Sequence, residues 1–216
     1  MARTLGARNS GFTDQRNALI AKLRDRLAQK DGPNASLREL ALAAGVSVAT
    51  LRHYFKDRKG VVSGVLERGR QVGEVHLMRT REPLEADLES SMHDFLRDIV
   101  RGWGRGVGTL HAVGLAEGLK SDAAGLNYLM DILEPTQQAL ERRLQAHMER
   151  GEMKEADARH AALWLLSPVL IALLHQNELG GRKCRPLDVD ALIAEHARVF
   201  ASVYATESKE LNVGAW

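Results

Sequence analysis

The segment SLRELALAAGVSVATLRHYF, from Ser36 to Phe55, constrains this chain more than any other. Ser36 followed three residues later by Glu39 has the spacing of a capping box, in which each side chain satisfies the other residue's backbone N–H. Leu37, Leu40, Ala41 and Ala44 then recur at helical spacing and give one apolar face. Gly45 stands where a helix must be left sharply through positive φ. Val46 plugs the turn, and Ser47 caps a second helix whose inner face carries Leu51 and Phe55. Ala41 is small where two steeply crossing helices approach. The spacing predicts a helix-turn-helix over residues 36–55.

With Leu51 and Phe55 inward, Ala49 and His53 point directly outward and Thr50 and Arg52 flank them, at about 100° per residue. Such a face suits a major groove. Ala49 lets backbone come close, Thr50 offers a hydroxyl and a methyl, Arg52 is a forked donor for guanine or phosphate, and His53 donates or accepts. The expected DNA-contacting set is Ser36, Leu37, Ser47, Val48, Ala49, Thr50, Arg52, His53, Tyr54 and Lys59. Within it, Ser36, Leu37, Tyr54 and Lys59 are expected on phosphates, and Thr50, Arg52 and His53 on or beside bases.

The stretch AGVSVATLRHYFKDRKGVV, Ala44 to Val62, resembles the DNA-binding domain of the tetracycline-repressor (TetR) family of transcriptional regulators. The matching parts are a preceding helix (Thr13 to Lys30), the helix-turn-helix (Ser36 to Tyr54), the aromatic pair Tyr54-Phe55, and Lys59 opening a long fourth helix. The resemblance is strong over Phe12 to Gln71 and only architectural beyond. It implies a homodimer with a variable, ligand-binding C-terminal domain. Two departures stand out: Val48 occupies a position where the family often has Lys, and Arg52 one where it often has Tyr. Operator sequence therefore does not transfer from relatives.

Charge is distributed to match. Residues 1–60 hold twelve Lys or Arg against five Asp or Glu, whereas the whole chain has a net charge of only +2. The basic share lies where the motif lies, as affinity for phosphates requires. Arg3 and Arg8 precede any apolar period, so residues 1–11 read as a flexible arm, either unattached or reaching along a minor groove.

The expected architecture is all-α: a three-helix helix-turn-helix domain over residues 12–72, a helical effector-binding and dimerisation domain over 73–206, and a tail over 207–216, with about nine helices in all. No β-branched alternation persists long enough for a sheet. The N-terminus lacks an apolar signal region and implies a cytoplasmic protein. The apolar stretch Ala161 to Leu174 is interrupted by Ser167 and Pro168 and is shorter than the ~20 residues a bilayer requires. Cys184 is the single cysteine, beside Arg182, Lys183 and Arg185, so it is either an incidental loop residue or a thiol activated by basic neighbours.

Beyond the motif, Asp57 is expected to cap a helix from Arg58 to Met78 with Val61, Val65, Val72 and His76 on one stripe and glycines that either pack closely on the first helix or supply bending freedom. Pro83 and Leu84 begin the next helix, to Arg101. RGWGRGVG, residues 101–108, reads as a mobile connector. A short helix follows to Gly118, then a long one from Asp122 to Arg150 bent at Pro135. An apolar helix runs from Ala156 to Glu178, and Asp188 opens the last one. The apolar helix is hydrophobic nearly all round and must be covered on several sides. A second copy of it and of the last helix completes the cover as a four-helix bundle, with Leu163, Leu166, Leu170, Leu174, Leu192, His196, Val199 and Val203 at the dimer interface.

Enzyme signals are absent: the histidines are scattered, no His/Cys cluster has metal spacing, and no phosphate-cradling loop follows a strand, so neither a catalytic role nor a cofactor is expected. His76, Met78, Trp103, His111, Asn127, Tyr128, Met130, Trp164 and His175 are the candidates for an effector pocket among the middle helices. The sequence thus points to a DNA-binding repressor, on a palindromic operator, released by a small molecule. The alternative is a DNA-binding dimer with no effector and a filled core.

Overall fold

The computed structural model describes residues 5–82 and 87–206, with side chains from Gly11 onward. The chain is all-α: α1 (Leu5–Leu27), α2 (Leu37–Ala44), α3 (Val48–Phe55), α4 (Arg58–Thr80), α5 (Leu88–Gly102), α6 (Gly108–Gly118), α7 (Asp122–Tyr128), α8 (Glu134–Glu149), α9 (Ala158–Leu173), α10 (Gly181–Cys184) and α11 (Val189–Tyr204). Trp103–Val107, kinked at Gly106, joins α5 to α6, and the π-helical turn Leu129–Leu133 joins α7 to α8, so the expected count of about nine is met when each joined pair is counted once. Among the described residues the β structure is a single antiparallel bridge between Met153 and Ala205. The expected N-terminal arm is already helical from Leu5, while residues 1–4, the side chain of Arg8, the expected helix start at Pro83 and Leu84, and the tail 207–216 lie outside the described residues.

Two compact units form, Met1–Val75 with Gly102–Thr136, and His76–Arg101 with Gln137–Trp216. Packing therefore divides the chain elsewhere than at the expected 72/73 boundary, because α6 and α7 belong with the N-terminal helices.

In the first unit, the core is built from Leu19, Ile20, Leu23 and Leu27 of α1, Leu40, Ala41 and Ala44 of α2, Leu51 and Phe55 of α3, and Val61, Val62, Val65 and Leu66 of α4. Leu110, Val113, Tyr128 and Ile132 complete it from α6 and the α7 rod. Each large apolar side chain so buried contributes about 1.5–3 kcal/mol. A Cβ at Gly69 would lie 2.5 Å from a Leu110 methyl, so this glycine is what admits α6. The expected packing of the α4 glycines on α1 holds only at Gly64, where a Cβ would meet Arg16 at 3.0 Å but also the Phe55 ring at 3.1 Å. The expected α4 stripe ends early: Val61 and Val65 are buried, but Val72 and His76 are exposed.

Residues 101–108 are not a loose connector. Gly106 takes φ 105° and makes a kink, and Trp103 is buried against His111, their rings stacked at 5.0 Å. At Pro135, where a bend is expected, a π-helical turn, Leu129–Leu133, lies just before the proline.

In the second unit, α5 starts at Leu88 because Asp87 accepts from the backbone N–H groups of Glu89 and Ser90. Its apolar face, Leu88, Met92, Phe95 and Leu96, is buried with Ala139, Leu140 and Leu144 of α8, with Ala161, Ala162, Leu165, Leu166, Val169 and Leu173 of α9, and with Ile193, Ala197 and Phe200 of α11. Asp157 and Asp188 cap α9 and α11, each accepting from a backbone N–H three residues on. The α9 helix continues to Glu178, 21 residues in all, ending where the expected Ala156–Glu178 helix ends. By length and composition alone it is long and apolar enough to span a membrane, with a mean hydropathy of 1.4, a property that core helices share. Its six buried apolar residues supply the core of this unit.

A buried polar chain crosses the same unit. Arg143 Nε donates to Ser91 Oγ at 2.9 Å and its Nη1 to the Thr80 carbonyl at 3.0 Å. His147 lies 2.7 Å from Ser91 Oγ through Nε2 and 2.6 Å from Glu152 through Nδ1. A neutral imidazole satisfies every link: the Ser91 hydroxyl donates to Nε2, and Nδ1–H donates to the carboxylate. Burial, only partly offset by Glu152, holds His147 below the usual histidine range and so favours that neutral form.

Candidate nucleic-acid interface

The helix-turn-helix forms as its caps dictate. Ser36 Oγ accepts from the Glu39 N–H at 3.3 Å, and the Glu39 carboxylate accepts from the Ser36 N–H at 2.7 Å. This contact holds the Glu39 carboxyl below its usual range. Gly45 leaves α2 at φ 72°, and Val46 N–H donates back to the Ala41 carbonyl at 3.0 Å. Lys22 Nζ donates to the Ala44 carbonyl at 3.2 Å, placing a cation at the negative end of α2. Ser47 Oγ caps α3 by accepting from the Thr50 N–H at 3.0 Å.

Leu51 and Phe55 are buried, so α3 presents its other face outward. Ala49, Arg52 and His53 are exposed there, with Thr50 half-buried and its hydroxyl 2.9 Å from Ser47 Oγ. Ser36, Ser47 and Lys59 are exposed as well, at the starts of α2, α3 and α4. Leu37, Val48 and Tyr54 are half-buried and pack against the unit's core. These three serve first as packing residues with one edge outward, a double role that helical spacing alone does not reveal.

Two features escaped the sequence reading. Lys56 takes φ 65° and ψ −60°, and the Asp57 N–H donates to the Phe55 carbonyl at 2.8 Å, closing a three-residue γ-turn between α3 and α4. That conformation is strained for a residue with a Cβ. It turns the chain directly into the Asp57 cap, whose carboxylate accepts from the Gly60 N–H at 2.8 Å. The second is Arg58. Its guanidinium donates to the Pro33 and Ala35 carbonyls and pairs with Glu117 at 2.7 Å, so one side chain joins the α1–α2 loop, α4 and α6. Lys120 also pairs with Glu117, at 2.8 Å, and these partners outweigh burial in keeping the carboxyl ionised.

The candidate effector residues fall in both units. Trp103, His111 and Tyr128 do meet: the Tyr128 hydroxyl lies 2.8 Å from His111 Nδ1, and Trp103 covers the imidazole. Burial pushes His111 down to about 4 and Tyr128 up to about 12, so the cluster is uncharged at neutral pH. Asn127 instead donates to Ser63 at 3.4 Å and borders a small cleft of about 90 Å³ with Lys59, Leu66 and Ser121. Met130 is exposed. In the second unit, Met78 borders an open cleft of about 440 Å³ with Arg81 and Arg142, His76 is exposed, and His175 bonds its neighbour Gln176. Trp164 stacks on Phe200 of α11 at 5.5 Å.

The residues of the expected dimer face differ in exposure. Leu166 is only 1% exposed, pointing into the core of its own unit. His196 is bound within the chain, 3.0 Å from the Leu165 carbonyl. Leu170, Leu174 and Leu192 are half-buried. The apolar groups left open on these helices are Leu163, Trp164 and Ile171 of α9 and Val199 and Val203 of α11. Among the described residues no group of three or more metal-ligating side chains gathers.

No family model matches the sequence, and comparison with curated proteins gives no match. Solved structures do match. A Mesorhizobium loti MAFF303099 protein assigned to the TetR family of transcriptional regulators is 16% identical, with 94% of this chain and 100% of that one covered at a TM-score of 0.69. A Saccharomonospora viridis protein solved in complex with choline is 18% identical, with 90% and 100% covered at 0.70. The Bacillus halodurans fatty acid degradation regulator FadR is 17% identical, with 86% and 94% covered at 0.66. The capped helix-turn-helix and the helices that follow it thus give this chain the all-α fold of TetR-family transcriptional regulators.

Proposed function

We propose that this chain is a TetR-family transcriptional regulator that binds double-stranded DNA in a sequence-dependent manner, working in the cytoplasm as a homodimer on a palindromic operator. The observation that carries this reading is α3, rigidly capped and backed by Leu51 and Phe55, with Ala49, Arg52 and His53 exposed on its outer face. A helix so presented fits a major groove, and two such helices related by a dyad read inverted half-sites. Ser36, Ser47 and Lys59 stand at helix starts, where phosphate is favoured. The apolar stripe of Leu163, Trp164, Ile171, Val199 and Val203 supports self-association through α9 and α11.

Repression released by a small apolar or amphipathic effector is the finer reading. It is supported by structural neighbours that include a choline complex and a fatty acid degradation regulator. Release acts through α4, which carries Lys59 at one end and Met78 at the other. The second reading, a DNA-binding dimer without effector, is favoured by the buried Trp103–His111–Tyr128 cluster, in which the Tyr128 hydroxyl and the His111 imidazole already pair with each other. Nothing in either reading calls for catalysis.

The test is selection of duplexes from a randomised library by the purified protein, followed by binding to the enriched sequence. Lys59→Ala should weaken binding to enriched and random duplex alike and lower the salt slope by about 0.9. Arg52→Ala should cost about 1–3 kcal/mol at a single base position. Failure of any duplex to enrich refutes the function.

A further inference from the structure

Phe12 lies in α1, remote in sequence from the reading helix, and is 41% exposed, unusual for a phenylalanine in a packed head. Its ring is not idle. It lies 4.7 Å from the Tyr54 ring at 31°, a tilted stack, and 5.8 Å from the His53 ring at 82°. His53 and Tyr54 are themselves 5.1 Å apart at 78°. Phe12 and Tyr54 therefore form a two-ring wall, and the imidazole stands nearly perpendicular to both. An imidazole on an exposed helix surface otherwise turns among several rotamers. Two edge-to-face contacts, each of the kind aromatic rings prefer, select one orientation before any ligand arrives.

We propose that Phe12 is a positioning residue for base recognition. It fixes the His53 ring on the outer face of α3, and so sets the discrimination at the base pair that His53 reads. The inference rests on the DNA-reading function above and adds a determinant from α1 that lies outside the helix-turn-helix. The physical reason is preorganisation: a side chain held in its bound rotamer loses less freedom on docking, so the correct base gains and the wrong base cannot recruit an alternative rotamer.

The experiment has two arms. In the DNA-free protein, the His53 ring signals in ¹H–¹³C spectra should shift on Phe12→Ala, and Phe12→Tyr should restore them. With the duplex enriched from a randomised library, Phe12→Ala should flatten discrimination about two- to tenfold at the same single position that His53→Ala flattens. Phe12→Tyr should retain it, and the double variant should be no worse than His53→Ala. Unmoved ring signals overturn the inference, as does an equal loss at every position, which would make Phe12 a scaffold residue. Enrichment with intact discrimination in Phe12→Ala overturns it alone, whereas absence of any enriched duplex overturns the function and the inference together.

Discussion

The Arg58 guanidinium sits 2.7 Å from the Glu117 carboxylate, and through it the first turn of α4 is tied to α6. Glu117 is nearly buried while Arg58 retains about a quarter of its exposure, so solvent screens the pair only in part. Glu117→Gln keeps the shape and removes the charge. We expect a loss of about 1–2 kcal/mol in urea unfolding, since Arg58 keeps its two carbonyl acceptors. Glu117→Leu should cost more, because it removes every acceptor that this side chain offers Arg58. Equal stability of both variants and the parent would show the pair to be energetically silent.

The γ-turn at Lys56 stores strain that glycine would release. A residue with a Cβ held there costs about 1–3 kcal/mol, against roughly 0.5–1 kcal/mol for glycine's extra chain freedom. Lys56→Gly should therefore be neutral or stabilising by roughly 1 kcal/mol. Lys56→Val, β-branched and least tolerant of positive φ, should destabilise. Thermal unfolding of the two variants checks the order.

Acid should loosen the protein well before its carboxylates titrate. His111 is pushed down to about 4 and His147 is also lowered, both chiefly by burial. An unfolded histidine binds its proton near pH 6.5, so below that pH the unfolded chain holds more protons than the folded one. Stability is then fully present above pH 6.5 and lost as pH falls toward about 4, at roughly 1 kcal/mol per pH unit for each histidine whose folded form stays neutral. Urea midpoints between pH 7.5 and 4.5 should fall accordingly, and His111→Phe should make the slope shallower from a lower starting point. A flat profile for the parent would contradict the burial of both rings.

On α9, position decides between dissociation and unfolding. Ile171 is 65% exposed and Leu166 only 1%. Ile171→Asp should yield a folded monomer by sedimentation, with helicity unchanged. Leu166→Asp buries an uncompensated carboxylate at a cost of several kcal/mol and should fail to fold. A dimeric Ile171→Asp protein would move the interface away from this stripe.

The reading unit was legible in the sequence because its signals are local: Ser36 with Glu39, Gly45, Ser47 and the Asp57 cap each act within a few residues. The fold class was legible for the same reason, through helical spacing alone. The γ-turn at Lys56 was not, since lysine carries no signature of positive φ. Nor was the outward face of α9, because a helix apolar all round gives no phase to its wheel. Leu166 and Ile171 look alike until packing buries the first and leaves the second exposed. The Ser91–His147–Glu152 chain joins residues up to 61 positions apart, beyond any spacing rule.

The membership of α6 and α7 in the first unit bears on how such proteins exchange parts. A hybrid that grafts residues 1–72 onto a foreign C-terminal body would strip the transplanted head of Leu110, Val113, Tyr128 and Ile132, and would orphan Arg58 from Glu117. The head would arrive with part of its own interior left behind. A joint that respects packing falls instead at three places, after Val75, before Gly102 and after Thr136, so that residues 102–136 travel with the helix-turn-helix end. The modular seam of this chain is therefore an interleaved one, and shuffling across it requires two segments to be moved at once.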